Sequence, residues 1–250
     1  MLSLLRGVFQ TLQIQGPLIR NGRNALSTST TLQKKNYLQE PEDYSDINLP
    51  EKPKLRVMMK VPHALPNQKH RKMKKSLHLI RGPEPVHNAL LHEQYGIRAL
   101  CGGRLRYGHM EMIRLTVGRK LDASRMFAIW RIDDPWQPIS KMGIGKRHGG
   151  GKGPIDHYVT PIKEGRIIIE VGGKCSYEEV KPWLEQIARL LPFKAEAVDM
   201  KTILAKKKLE ELEEKRNINP ITYKYLLMNR MVGTQNWAGP TEKEYFGKYV

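Results

Sequence analysis

The distribution of apolar residues divides the chain into an irregular beginning, a patterned middle and a helical end. Between residues 96 and 200 the apolar positions recur with helix or strand periods, whereas residues 30–95 show no sustained period. Residues 201–250 read as helices, with Glu211 and Lys215 spaced as an i, i+4 pair. We therefore predict an extended arm (30–95), a core domain (96–200) and a helical C-terminal extension (201–250).

Two segments of the core domain have the period of a helix. In the first, an apolar stripe recurs at i, i+3, i+7 and i+11, formed by Met110, Ile113, Val117 and Leu121. The second runs from Ser176 to Pro192, and its Ser176 and Glu179 have the spacing of a capping box. Pro182 inside this segment is expected to bend the helix or remove one of its hydrogen bonds.

The remaining apolar segments of the core predict strands. Residues 125–132 are aromatic and β-branched, which favours a buried strand. The segments IDHYVTPI and GRIIIEV flank Lys163, Glu164 and Gly165, and this arrangement predicts a β-hairpin. The expected fold class is α+β, with two helices packed on a mainly antiparallel sheet. The helices of the C-terminal extension have narrow apolar faces, so we expect them to dock on a neighbour instead of on this core.

The first 29 residues have the composition of a targeting segment. They contain Arg6, Arg20 and Arg23 but no acidic residue, and they end in a run of Ser and Thr. An amphipathic, arginine-bearing and acid-poor beginning is typical of a mitochondrial transit peptide. We predict cleavage near residue 29 and a location in the mitochondrial matrix, with a disordered basic tail as the alternative.

The formal net charge of +18 makes a polyanion the expected partner. The alternative is a basic protein that its charge only keeps soluble. Two cysteines are too few for a disulfide framework, and no Cys-x2-Cys pair suggests zinc. No stretch approaches 18 apolar residues, so no membrane span is predicted.

A glycine-rich basic loop follows the middle strands of the core. Its sequence GIGKRHGGGKG, Gly143–Gly153, fits neither the Walker loop nor the dinucleotide pattern, so no nucleotide cofactor is predicted. Glycine backbone N–H groups and cationic side chains instead suit the phosphates of a nucleic acid. The predicted loop residues are Lys141, Gly143, Gly145, Lys146, Arg147, His148, Gly149, Gly150, Gly151, Lys152 and Gly153.

Further basic residues lie in the arm and on the predicted helices and strands. Arginine pairs with phosphate oxygens through two parallel hydrogen bonds, which makes these positions candidates for RNA binding. The candidates are Lys69, Arg71, Lys72, Lys74 and Lys75 in the arm, and Arg98, Arg104, Arg106, Arg114, Arg119, Lys120, Arg125 and Arg131 in the core.

No arrangement of residues predicts catalysis or metal binding. Asp156 and His157 are adjacent on a predicted strand, so their side chains should point to opposite faces. The chain also has no Gly-x-Ser-x-Gly turn to carry a nucleophile. The histidines of the arm lack the spacing of metal ligands. We therefore predict no catalytic residue, no metal site and no cofactor.

Several segments together resemble the L-sixteen family of large-subunit ribosomal proteins. They are GGRLRYGHMEMIRLTVGR, FAIWRI, QPISKMG, GGGKGPIDHYVTPIKEGRIIIEVGG and LLPFKAEAV, and they cover residues 94–200. With the transit-like beginning and the tail ending in EYFGKYV, the chain resembles the mitochondrial branch found in animals.

The resemblance implies an α+β fold that binds large-subunit rRNA near the base of the central protuberance. It implies family-matching positions for Arg104, Glu111 and Arg114, and a loop, Gly143–Gly153, that extends toward the tRNA and the peptidyl transferase region. The sequence departs from bacterial members by an insertion, KRHGG, and by Lys141 in place of an arginine.

The expected function is that of a structural constituent of the mitochondrial large ribosomal subunit. The expected partners are large-subunit rRNA, transient tRNA and neighbouring ribosomal proteins. The alternatives are an assembly factor that leaves the finished ribosome, and an RNA-processing or RNA-modifying enzyme.

Overall fold

The computed structural model describes residues 44–64, 68–147 and 149–249. The predicted transit peptide, the beginning of the arm and His148 lie outside the described residues. The core elements, in chain order, are β1 (Tyr95–Ala99), β2 (Gly103–Arg106), α1 (Tyr107–Lys120), β3 (Met126–Trp130), β4 (Gln137–Ser140), β5 (Ile155–Ile162), β6 (Ile167–Gly173), α2 (Tyr177–Leu190) and β7 (Ala195–Asp199).

The core strands form two antiparallel sheets. The larger sheet has the order β3-β6-β1-β7, and the smaller has the order β2-β5-β4. Helix α2 packs on β1 and β7, and α1 packs on α2 and β2. The structure confirms the α+β class, with two sheets in place of the single sheet that was expected.

The apolar stripe predicted for the first helix is buried in the structure. Met110, Ile113 and Val117 are at most 1% exposed, and Leu121 follows the last turn at 7%. Burying each such side chain stabilises the fold by about 1.5–3 kcal/mol. The stripe therefore holds α1 on the core and fixes which of its faces remains outside.

The predicted hairpin is wrong, because its two strands belong to different sheets. Strand β5 pairs with β2 and β4, whereas β6 pairs with β1 and β3. The chain crosses from one sheet to the other at Gly165, where φ is +85°. All seven residues of β6 are buried, so this strand needs a partner on both edges and cover on both faces. A tight turn in the sequence does not reveal such distant partners.

The predicted capping box of α2 is also wrong. Ser176 makes no capping hydrogen bond through its side chain. Glu179 instead binds Arg125, whose Nη1 lies 3.2 Å from Glu179 Oε2. At α1, by contrast, the side chain of the third helical residue does cap the helix, because the Arg106 N–H donates to His109 Nδ1 at 3.1 Å. The competition of a nearby guanidinium for Glu179 is a tertiary effect that the local spacing does not show.

Part of the arm packs on the core domain. Leu55 and Met58 are 8% and 3% exposed and belong to the main hydrophobic cluster. The Ala128 N–H donates to the Pro53 carbonyl at 2.8 Å, and Trp130 Nε1 donates to the Arg56 carbonyl at 2.9 Å. Residues 53–58 thus run along β3 as a structured strap.

The C-terminal extension contains α3 (Met200–Arg216), α4 (Tyr223–Met228), α5 (Thr234–Trp237) and α6 (Pro240–Tyr245). The expectation that these helices avoid their own core is wrong for the beginning of α3. Ile203 is buried in a cluster with Leu90, Ile167 and Val198. Farther along α3, Leu209 and Leu212 are 56% and 48% exposed. In the described residues, no helix has the length and hydrophobicity that crossing a bilayer requires.

Candidate nucleic-acid interface

The glycine-rich loop joins β4 to β5 and is exposed along almost all of its described length. Gly149, Gly150 and Gly151 have φ values of +106°, +71° and +81°. An added Cβ would meet no atom within 4 Å at any of the three. Glycine is therefore required here by the left-handed backbone and not by packing. With no side chains on these residues, a phosphate can approach the backbone N–H groups closely.

The loop is attached to the basic run of the arm by two reciprocal contacts. Lys72 Nζ donates to the Lys152 carbonyl at 2.7 Å. In return, Lys152 Nζ donates to the carbonyl of Met73. We call this pair of contacts the lysine clasp. It brings together two basic segments that are about 80 residues apart in the sequence.

An open cleft of about 820 Å³ lies between the clasp and the loop. It is lined by Lys72, Lys146, Arg147 and Lys152, together with the glycine backbone. Within the described part of the chain, none of these four side chains forms an ion pair. Concentrated positive charge without internal counterions attracts a polyanion. This attraction offsets part of the free-energy cost of ordering the loop when the polyanion binds.

Three of the predicted RNA-binding arginines are held by the protein itself. Arg104 Nε and Nη2 donate to Gln137 Oε1 and the Ser76 carbonyl at 3.3 and 3.2 Å. Arg114 Nη2 lies 2.8 Å from Glu111 Oε2, and this hydrogen bond lowers the pKa of the Glu111 carboxyl. Arg125 binds Asp122 and Glu179. These side chains are partly exposed. A phosphate that approached them would compete with the protein oxygens that each guanidinium already contacts.

Arg131 is one of the candidates whose side chain is largely buried. Its side chain is 12% exposed, and its Nε lies 3.6 Å from Oε2 of Glu170, which is an ion pair longer than a hydrogen bond. Glu170 is completely buried and accepts the His92 N–H at 2.6 Å. Arg98 Nε is also buried, with no hydrogen-bond partner among the described residues. Arg131 therefore offers little surface to RNA, and the Nε of Arg98 offers none.

The other candidates are exposed on two surfaces. Arg119 and Lys120 occupy the last turn of α1, where cations also interact favourably with the helix dipole. The exposed candidates of the arm and of the beginning of α1 are Lys69, Arg71, Lys74, Lys75 and Arg106.

Asp156 and His157 contact each other, so the expectation of opposite orientations is wrong. His157 Nδ1 lies 2.7 Å from Asp156 Oδ2. This hydrogen bond is the main reason that the pKa of the Asp156 carboxyl is below its usual range, and the charges of Lys141 and Arg106 add to it. The pair lies on the smaller sheet, close to the beginning of α1.

The sequence supports an assignment to a family. Residues 65–198, more than half of the chain, match the family described as Ribosomal protein L16p/L10e. The chain belongs to this family. The match contains the lysine clasp, the glycine-rich loop and nearly all of the core, but not residues 44–64 or the C-terminal helices.

Three bacterial relatives are named as large ribosomal subunit protein uL16. That of Salinibacter ruber is 31% identical over 131 residues, covering 52% of this chain and 89% of that protein. That of Neorickettsia sennetsu is 30% identical over 141 residues, covering 56% and 96%. That of Psychrobacter cryohalolentis is 36% identical over 105 residues, covering 42% and 74%. These relatives are ribosomal proteins and not enzymes, which confirms the prediction of a non-enzymatic protein.

Sequence reasoning missed two features of this surface. It treated Lys72 and Lys152 as members of separate basic segments, and only the tertiary structure pairs them. It also passed over Lys60, which the strap carries to the beginning of α1. The only signal for the strap was the short apolar group Leu55, Val57, Met58 and Met59 among basic residues.

Proposed function

We propose that the chain is a structural protein of the large ribosomal subunit that binds ribosomal RNA through its loop, the basic run and the exposed end of α1. The observation that carries the proposal is the lysine clasp in a member of the L16p/L10e family. The clasp gathers cations that have no carboxylate partner into one cleft. Contacts from Lys and Arg to phosphates supply most of the sequence-independent affinity for RNA.

The finer part of the proposal concerns the compartment and the second RNA partner. The arginine-bearing, acid-free beginning of the sequence supports a mitochondrial ribosome in the matrix. The exposed loop, with its left-handed glycines, supports a transient contact with tRNA near the peptidyl transferase region, since it can order against a ligand that comes and goes. The exposed leucines of α3 support contacts with neighbouring ribosomal proteins.

A sucrose gradient of mitochondrial lysate tests the proposal. We expect the protein to sediment with intact ribosomes when magnesium is present and with the large subunit after magnesium is chelated. It should remain there at moderate salt. Sedimentation only with immature particles would instead indicate an assembly factor, and a protein that stays at the top of the gradient would exclude a ribosomal role.

A further inference from the structure

A second pocket lies outside the loop cleft, where the residues that follow the strap pass the beginning of α1. It is open, has a volume of about 450 Å³, and is formed by three separate parts of the chain. Its lining includes Lys60 from the arm, Arg106 and Tyr107 at the beginning of α1, and Asp156, His157 and Tyr158 on β5.

The strap holds Lys60 at this pocket. Leu55 and Met58 are buried in the core, and the residue next to Lys60, Met59, donates its N–H to Asp134 Oδ1 at 3.2 Å. Arg56 Nη1 binds the other oxygen of Asp134 at 3.2 Å. Because the backbone is anchored on both sides of Met58, Lys60 has a fixed starting point from which its side chain reaches the pocket.

The arm residues that line the pocket lie outside the region that matches the family. The match begins at residue 65, so Lys60 and Val61 lie before it, whereas the residues from α1 and β5 lie inside it. Lys60 and Val61 are therefore the part of the pocket that the family match does not contain.

The chemistry of the lining selects a class of ligand. Lys60 and Arg106 provide two cations, Tyr107 and Tyr158 provide aromatic rings, and Asp156 provides a carboxylate. Cations bind phosphate, an aromatic face stacks on a base, and a carboxylate accepts hydrogen bonds from base N–H groups. An acidic peptide would use the cations but would be repelled by Asp156. A nucleotide uses all three kinds of group, and its size suits a pocket of a few hundred Å³.

We propose that this pocket binds one unpaired nucleotide of an RNA strand, with its phosphate near Lys60 and Arg106 and its base against Tyr107. The proposal rests on the RNA-binding function proposed above and adds a site for a single-stranded nucleotide. Recognition of an unstacked base is a common way for proteins to bind single-stranded RNA.

The test measures binding of the full chain to a 5′-fluorescein-labelled hexauridine RNA by fluorescence anisotropy. The variant Lys60→Met removes a pocket cation, and Lys54→Met is its matched control, since Lys54 is an exposed lysine of the same arm that does not line the pocket. We expect Lys60→Met and Tyr107→Leu each to weaken binding about tenfold, and Lys54→Met less than about twofold. Binding to a blunt RNA duplex should be the same for Lys60→Met and Lys54→Met.

A crosslinking measurement identifies the site directly. Hexauridine that carries 5-iodouridine should crosslink to Tyr107 or Tyr158 under ultraviolet light, as mapped by mass spectrometry. This readout uses the unmodified protein, so it decides the question even if Tyr107→Leu fails to fold. Unlabelled UMP should compete better than inorganic phosphate, because only UMP offers a base to stack.

The outcomes separate this proposal from the general one. If the wild-type chain binds neither hexauridine nor duplex, the proposed RNA-binding function fails. If it binds RNA but Lys60→Met equals Lys54→Met and the crosslinks map elsewhere, only the nucleotide pocket is overturned. Equal competition by phosphate and UMP, or tighter binding of a polyglutamate peptide than of hexauridine, would also overturn it.

Discussion

Arg131 and Arg166, which adjoin β3 and β6 of the larger sheet, and the cations of the glycine-rich loop have opposite environments in the same basic protein. Arg131 and Arg166 are each 12% exposed, and each lies 3.6 Å from a carboxylate, Glu170 for the first and Glu84 for the second. Lys146 and Arg147 are exposed, and neither forms an ion pair in the described part of the chain.

This difference shows what the composition alone conceals. A net charge of +18 counts Arg131 and Lys146 equally, yet the first is neutralised inside the fold and the second faces solvent. A buried charge is tolerated only with a partner, so removing the partner is costly. An exposed, unpaired charge contributes little to stability and is available to a phosphate. Burial and pairing therefore divide the basic residues into those that hold the fold and those that can bind RNA.

The largest effect should come from removing the buried partner of Arg131. Glu170→Ala leaves the largely buried Arg131 guanidinium without its carboxylate and the His92 N–H without its acceptor. We expect the free energy of unfolding to fall by about 3–5 kcal/mol. Urea denaturation followed by circular dichroism measures it. Glu213→Ala, on the exposed side of α3, is the control and should change stability by less than about 0.5 kcal/mol. A loss below 1 kcal/mol for Glu170→Ala would mean that the pairing of Arg131 with Glu170 contributes little to stability.

A pair of glycine substitutions extends the same comparison to the backbone. In Gly102→Ala the new Cβ would lie 1.8 Å from the Ile80 carbonyl oxygen, so the backbone must move, at a cost of about 1–3 kcal/mol. In Gly150→Ala no atom lies within 4 Å of the new Cβ, so only the left-handed backbone, with φ of +71°, opposes the alanine, and the exposed loop can relax part of that strain. Thermal unfolding should therefore show the larger loss for the first variant and about 1 kcal/mol or less for the second. Equal losses would indicate that the loop is as constrained as the core.

Removing the loop charges should affect RNA binding and leave stability unchanged. For Lys146→Ala/Arg147→Ala we expect affinity for large-subunit rRNA fragments to fall about tenfold. The slope of log K against log salt should fall by about 0.7 for each lost phosphate contact. Lys207→Ala/Lys208→Ala, a double variant with the same charge change on α3, is the control. If both variants lower affinity equally, only net charge matters and the cleft has no special role.

The smallest effect concerns pH. Burial, and to a lesser degree the charge of Arg106, lower the pKa of His109, whose Nδ1 accepts the Arg106 N–H. The unfolded chain then binds more protons than the folded one, so stability should fall as the pH drops below about 6.5 toward the lower folded pKa. His109→Gln keeps an acceptor at this helix position but does not titrate. Unfolding measured at pH 7.5 and 5.5 should show a smaller pH dependence for the variant, and an unchanged dependence would exclude this role of His109.

The elements that the sequence predicted correctly are those fixed by local patterns. The stripe of Met110, Ile113 and Val117 predicted α1 and its buried face, because a helix period can be read from a short segment. The hairpin and the capping box failed for a shared reason. The partners of β6 and of Glu179 come from distant segments, and competition between local and distant partners cannot be seen in the spacing.

The predicted interface shows the same division. The sequence by itself determined that the protein is strongly basic, that one loop combines cations with the glycines a left-handed backbone needs, and that the core is α+β. Only the tertiary structure decided which charges are available. It buried Arg131 against Glu170, joined Lys72 to Lys152 across about 80 residues, and anchored the strap that places Lys60 beside α1. Composition and periodicity are properties of neighbouring residues, whereas burial and pairing depend on which distant segments the folded core brings into contact.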